Sequence, residues 1–414
     1  MSVNLSESPI EFYQAQITQF QAELSAVKKK LFWVGMLRLM VFLSFSGLIY
    51  LFRSQVNLMV IFGIVGIAIF LFMVSKNTDI KLAKRRLEKL IALNNFELEI
   101  LKGNLSVAEK GEEFISENHY YNQDIDLFGA GSIFQLINRT STQTGRERLA
   151  SILNANSIDA IDTKQAAIKE LKAMPKWRQN FQITAELVNV KVDHQVILKW
   201  LKNYKPTIPA AFKFIPLIVS LLSFACIIGF GFGFIPGQIL GLWIFIGFII
   251  TGPFFGRISK LYNSVSEMTD TISQYAKLLE QIEHQTFDSE LLTQAQENIK
   301  NESKKASEIF KLLSQELNNL DQRNNIFFAF VANGYFLWDL RYAYRIENWI
   351  KTYQPTTDRW FETIAEFDAY NSLSNYAFNS PTHIYPELST DEKMTMNATE
   401  LGHPLLNVAQ RITN

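Results

Sequence analysis

The sequence predicts an all-α membrane protein that crosses a bilayer four times as two helical hairpins. Two observations carry this expectation. Apolar residues make up 48% of the 414 positions, an ordinary share, but they are clumped into four blocks separated by polar, charged segments. Lysine and arginine then gather on the outer flanks of each pair of blocks and avoid the turn inside it.

The first block runs from Leu31 to Phe52 and is interrupted only by Arg38. The second, Val56 to Val74, carries no charge; the third spans Phe214 to Phe234 and the fourth Ile239 to Phe255. A hydrocarbon core of about 30 Å needs roughly 20 helical residues, and each block comes close to that length. Buried helices of a soluble protein usually keep a polar stripe, and the second and fourth blocks have none. Arg38 lies about two turns from the start of its block, close enough to reach back toward the headgroups.

Lys28, Lys29 and Lys30 precede the first block, and Lys76, Lys81, Lys84, Arg85 and Arg86 follow the second; the turn between holds only Arg53. Lys199, Lys202, Lys205 and Lys213 precede the third, and Arg257 and Lys260 follow the fourth; the turn GFGFIPGQ is uncharged. The expected topology therefore puts both tips outside and both termini in the cytoplasm, in an inner or plasma membrane, with lipid as the first partner. Formal net charge is zero, which gives no global attraction to nucleic acid. The single cysteine, Cys226, excludes an intrachain disulfide. The polar, acidic start MSVNLSESPIEFYQ does not read as a cleavable signal peptide.

The remaining segments read as helices. Ser8 and Pro9 suit an N-cap and a first helical position, with Phe12, Ile17, Phe20, Leu24 and Val27 along one face. Residues 80–102 form a helix leaving the membrane. Residues 257–320 read as two long antiparallel helices split near His284–Asp288, and the aromatic run 323–349 as a helix on a cytosolic core, because Asp339, Arg341 and Arg345 argue against a span.

No phosphate-binding loop, nucleophile elbow or metal-ligand spacing is present; the five histidines are scattered. Asp124 and Asp126 suit a solvated loop better than acid–base work. Lys300, Lys304 and Lys305 form a small basic patch on a long helix, a candidate DNA contact, although such a patch is more often a solvated helix face. No catalytic residue, metal site or cofactor is assigned within this chain.

Residues 124–153, DIDLFGAGSIFQLINRTSTQTGRERLASIL, resemble the start of the core (lever) domain of the MutS family of mismatch-repair ATPases. The matching positions are Ser132, Phe134, Leu136, Asn138, Arg139, Thr140, Thr142, Gly145, Arg146 and Leu149, followed by Gln165, Ala166 and Leu171 in the next helix. A second stretch, 364–388, is similar to the family segment leading into the ATPase domain, through Asp368, Ser372, Leu373, Ala377, Pro386 and Glu387. ELGHPLL (400–406) resembles the His-Pro element upstream of the nucleotide loop, making His403 and Pro404 the candidate cofactor-side positions. From the residues alone, Gly129 and Gly131 make a turn, Ser132 caps the helix carrying Phe134, and Gly145 relaxes the chain before the next helix.

The resemblance implies ATP with Mg²⁺ for a complete family member, mismatched DNA as partner, and an ATPase domain in trans, in a longer parent chain or in a homodimer partner. Where the family reads a mismatch with Phe-x-Glu, the nearest string is Phe12-Tyr13-Gln14, and the first hairpin stands in place of the mismatch-reading and connector domains. The second hairpin interrupts the core, and the sequence ends at Asn414 before a nucleotide loop. The expected organisation is a cytosolic helix (1–30), hairpin (31–75), juxtamembrane linker (76–123), core-like region (124–210), hairpin (211–256), lever-like helices (257–350) and a segment leading toward an ATPase domain (351–414). The expected function is to couple an ATPase to DNA or another partner at the cytosolic membrane face. The alternative is a membrane scaffold that reuses the core without DNA. A transporter is disfavoured by spans without carboxylates.

Overall fold

Two uninterrupted helices account for the first quarter of the chain. The computed structural model describes residues 8–116, 119–155, 157–188, 193–300, 304–388, 397–406 and 411–413. In chain order its α-helices are α1 (Pro9–Leu51), α2 (Val56–Leu101), α3 (Ile133–Ile137), α4 (Gln143–Leu153), α5 (Ile161–Lys172), α6 (Pro175–Glu186), α7 (His194–Asn203), α8 (Ile215–Gly231), α9 (Gly237–Thr251), α10 (Phe255–Val265), α11 (Thr269–His284), α12 (Glu290–Glu297), α13 (Ala306–Asp321), α14 (Ile326–Phe336) and α15 (Trp338–Asn379). Among the described residues there is no strand, only an isolated bridge between Lys300 and Lys305.

Among the described residues, three helical stretches are long and apolar enough to cross a membrane: Pro9–Leu51, Val56–Leu101 and Gly237–Val265. Only 0%, 6% and 11% of their most apolar windows are buried, so these are not core helices of a soluble protein. The third stretch joins α9 to α10 through a 3₁₀ turn, Gly252–Phe254. The third apolar block forms α8, 17 residues long and below the length of the other three.

The chain divides into two units. The first comprises residues 1–138, 172–183 and 375–414. Here α1 and α2 pack as an antiparallel pair across the short turn at 52–55. No glycine or proline interrupts the polar half of either helix, so each runs unbroken from apolar block into polar flank, about 65 Å in all. Pro9 opens α1, and the Glu11 carboxylate accepts the Ser8 N–H at 3.1 Å. The Arg38 guanidinium lies 5.9 Å from the Phe70 ring. Gly66 lets α2 approach Phe45, whose ring a Cβ would meet at 2.8 Å, whereas Gly63 faces open space. Gly66→Leu should therefore lower the thermal unfolding midpoint in micelles, at a cost of about 1–3 kcal/mol, while Gly63→Leu leaves it unchanged.

The polar ends of α1 and α2 bury Phe12, Tyr13, Leu87, Leu90 and Leu93 around a hydrogen-bonded layer. Tyr13 Oη donates to Asn379 Oδ1 (2.7 Å), Asn379 Nδ2 to Glu97 Oε2 (2.8 Å) and Gln179 Nε2 to Asn94 Oδ1 (2.9 Å). Arg178 donates to Asn375 Oδ1 at 2.7 Å and lies over the Phe378 ring; burial pushes its guanidinium down to about 10.

The second unit comprises residues 139–171 and 184–374. Its organisation departs from two long helices over 257–320: the segment is divided among α10, α11, α12 and α13. The break after His284 falls where the periodicity fails, but a second break separates α12 from α13. Most of α15, a helix of 42 residues, belongs to this half, and residue 350 lies in its interior. It passes through Pro355, which supplies no N–H to the helical ladder. The aromatic run 323–349 is likewise not one helix on a cytosolic core. Leu337, at φ +49°, separates α14 from α15, and α14 packs on α8 and α9.

Candidate functional site

The second unit draws together the two stretches singled out in the sequence. α15 presents Asp368 and Ser372 one helical turn apart on one face. Ser372 Oγ accepts the Arg139 N–H at 2.8 Å. The Asp368 carboxylate accepts the Ser141 N–H at 3.1 Å on Oδ1 and 3.0 Å on Oδ2. Its Oδ2 also accepts the Thr142 N–H at 2.8 Å and the Thr142 hydroxyl at 2.7 Å. Thr142 is in turn the N-cap of α4, its Oγ1 accepting the Gly145 N–H at 2.9 Å. A connection that would otherwise leave bare N–H groups is thus satisfied by a helix more than 220 residues away in sequence.

Gly145 sits inside α4, not before it, and it is there because nothing larger fits. A Cβ at this position would meet Asp368 Oδ2 at 2.2 Å and Asp368 Cβ at 2.6 Å. Its role is close approach of α4 to α15, where local chain freedom was expected. Beyond Thr142, a hydroxyl chain continues through Thr144 (3.0 Å) to Tyr275 Oη (3.4 Å). Because the Thr142 proton is spent on Asp368, the order of donation is Tyr275 to Thr144 to Thr142 to Asp368.

Asp368 is 1% exposed. Burial pushes its carboxyl up to about 7; the Thr142 and Ser141 donors pull the other way, and Glu186 adds to the upward shift. Tyr275 is pushed up by burial as well. Among the described residues, no group of three or more His, Cys, Asp or Glu is placed to hold a metal ion.

α15 carries a second buried carboxylate that the sequence did not single out. Glu347, 3% exposed, accepts the Tyr204 hydroxyl (2.8 Å), the Thr207 N–H (2.9 Å) and the Ile208 N–H (2.8 Å). These belong to the segment YKPTIP leading toward α8, in which Pro206 and Pro209 have no N–H to give. The signal was present as prolines flanking two donors, but nothing local names their acceptor. The same helix therefore grips two connections, one entering α4 and one approaching α8.

The other sequence candidates lie elsewhere. In the first unit, Ser132 caps α3 by accepting the Gln135 N–H at 3.1 Å. Phe134 is fully buried against Phe114 and Phe128, beside the left-handed Gly111. Gly129 and Gly131 take positive φ in the turn before it. Asn138 is buried at the end of α3. In the second unit Arg139 is buried, Thr140 is half-buried, and Arg146 reaches Gln143 Oε1 at 2.7 Å on the surface. His403 and Pro404 are exposed, the His403 ring accepting the Leu405 N–H at 3.3 Å. Lys300, Lys304 and Lys305 are exposed in the connection between α12 and α13, not on a long helix. No protein-family model, curated protein or solved structure matches the chain.

Proposed function

We propose that this protein is a membrane-anchored relative of the MutS core, with four spans and both termini cytosolic in an inner or plasma membrane. It couples an ATPase, supplied by a longer chain or in trans, to DNA or another partner at the membrane face. The observation that carries the reading is the bonding of Asp368 and Ser372 to residues 139–142. Two stretches chosen for their resemblance to one family, far apart in sequence, meet through the residues that carry the resemblance. The four-span topology rests on the basic flanks of the four blocks. ATP and Mg²⁺ belong to the ATPase partner; His403 and Pro404 are the approach to it.

The test is DNA binding by the chain joined to its ATPase, reconstituted in vesicles, with ATP and Mg²⁺ present or absent. The expected result is an ATP-dependent change in affinity for mismatched over matched duplex, with log K falling as salt rises. Replacing Lys300, Lys304 and Lys305 by alanine should flatten that slope by at most about 3. Unchanged affinity on adding ATP would sink the DNA reading and favour the scaffold.

A further inference from the structure

We propose that α14 is a fifth membrane-embedded helix, one that does not span: it enters and leaves the bilayer through the same leaflet, with acyl chains covering its outer face. Its sequence, IFFAFVANGYF, has no charged residue. Eleven residues rise about 16 Å, half of a hydrocarbon core of about 30 Å, so α14 cannot cross. Its ends are tied together. Arg323, just before it, and Asp339, just after it, form an ion pair at 3.4 Å, with their side chains 9% and 3% exposed. Asn333 Oδ1 accepts the Asp339 N–H at 2.9 Å, and Trp338 Nε1 donates to the Asn319 carbonyl at 2.7 Å. Arg341 and Arg345 then keep α15 out of hydrocarbon.

One face of α14 is fitted to the second hairpin. Gly247 lies directly against the Asn333–Gly334 backbone, where a Cβ would run into the Gly334 carbonyl, and a Cβ on Gly334 would meet Ile244 at 2.7 Å. Small residues at a crossing are how helices approach in lipid. The Phe330 ring packs tilted against Phe248 of α9 (5.3 Å) and the Phe336 ring against Phe224 of α8 (5.5 Å). The polar groups of this contact are mutually satisfied: Tyr335 Oη donates to the Leu240 carbonyl at 3.1 Å, and Ser223 Oγ donates to the Tyr335 carbonyl while accepting Trp243 Nε1. Toward its N-terminus α14 is bare: Ile326 is 81% and Phe327 87% exposed, and Phe330 and Val331, a turn further on, stay half exposed. The two helices on which α14 packs are bare as well, at Phe245 and Ile249 of α9 and at Leu221 and Ile228 of α8. Three helices packed together, all uncharged and all bare of cover, call for one apolar solvent, the acyl chains.

The experiment places single cysteines at Phe327 and Val331 in a Cys226→Ala background, reconstitutes the full chain in phosphatidylcholine–phosphatidylglycerol vesicles, and adds a membrane-impermeant maleimide. The expected result is no labelling at 327 or 331 until detergent is added, with immediate labelling of Lys351→Cys, exposed on α15. Nitroxides at 327 and 331 should collide with oxygen and not with a water-soluble nickel complex. Labelling at 327 as fast as at 351 overturns the proposal. So does a nitroxide shielded from both quenchers, which would mean a second copy or another protein on that face. If the cysteine background fails to fold, a photoactivatable lipid on the unaltered protein gives the same answer: adducts within 326–331 support the proposal, and adducts confined to α8 and α9 overturn it.

Discussion

Asp368→Ala is expected to destabilise the second unit by about 3 kcal/mol near pH 5, because it orphans buried donors from Ser141 and Thr142 and leaves a hole beside Gly145. The measurement is a denaturant midpoint in micelles, read by tryptophan fluorescence. Asp368→Asn is the informative partner. With its oxygen in the Oδ2 position the amide still accepts from Ser141 N, Thr142 N and Thr142 Oγ1, so it should stay within about 1 kcal/mol of the parent at pH 5. Equal losses in the two variants would mean that the joint depends on charge and not on accepting these donors.

Stability should also fall as pH rises from about 4 to about 7, and then level off. The unfolded Asp368 carboxyl titrates near 3.9, whereas the folded one is pushed up to about 7 by burial. Between those values the folded chain holds a proton that the unfolded chain has lost, and linkage makes stability decrease with pH across the window. The neutral form's advantage is full below about 4 and gone above about 7, and a shift of about three units is on the order of 4 kcal/mol. Asp368→Asn should remove this dependence and stand above the parent at pH 8. The deficit of Asp368→Ala should shrink from pH 5 to pH 8, since the parent then bears the cost of a buried carboxylate. Identical pH profiles for parent and Asp368→Asn would move the titration to another group.

What could be read from the sequence follows the range of the forces involved. The apolar blocks were legible because a run without polar residues states its own solvent, and Ser8, Pro9 and Ser132 because capping is settled within four residues. The break at His284 showed as lost periodicity. The break between α12 and α13 did not, because Lys300, Lys304 and Lys305 look the same on a helix face or in a connection. α14 was hidden by its neighbours: Asp339, Arg341 and Arg345 argued for water along the whole aromatic run, and only the left-handed Leu337 divides it. The site was legible as residues and not as contacts. Asp368, Ser372, Arg139 and Gly145 were noticed through resemblance, but no local rule pairs Asp368 with Thr142. Glu347 went unnoticed because its partners are two backbone groups and the hydroxyls of Tyr204 and Thr207, none of which names an acceptor.

Pro355 lies between the two carboxylate grips of α15, eight residues after Glu347 and thirteen before Asp368. A helix without that N–H is softest in bending there, and its outer arm to Asp368 is about 20 Å long. A tilt of about 10° at the proline would swing the far grip by roughly 3 Å, a full hydrogen-bond length. In mechanical terms α15 is a beam with one compliant joint and a brittle clamp at each end. Bending at Pro355 would therefore register first as lost hydrogen bonds at Asp368.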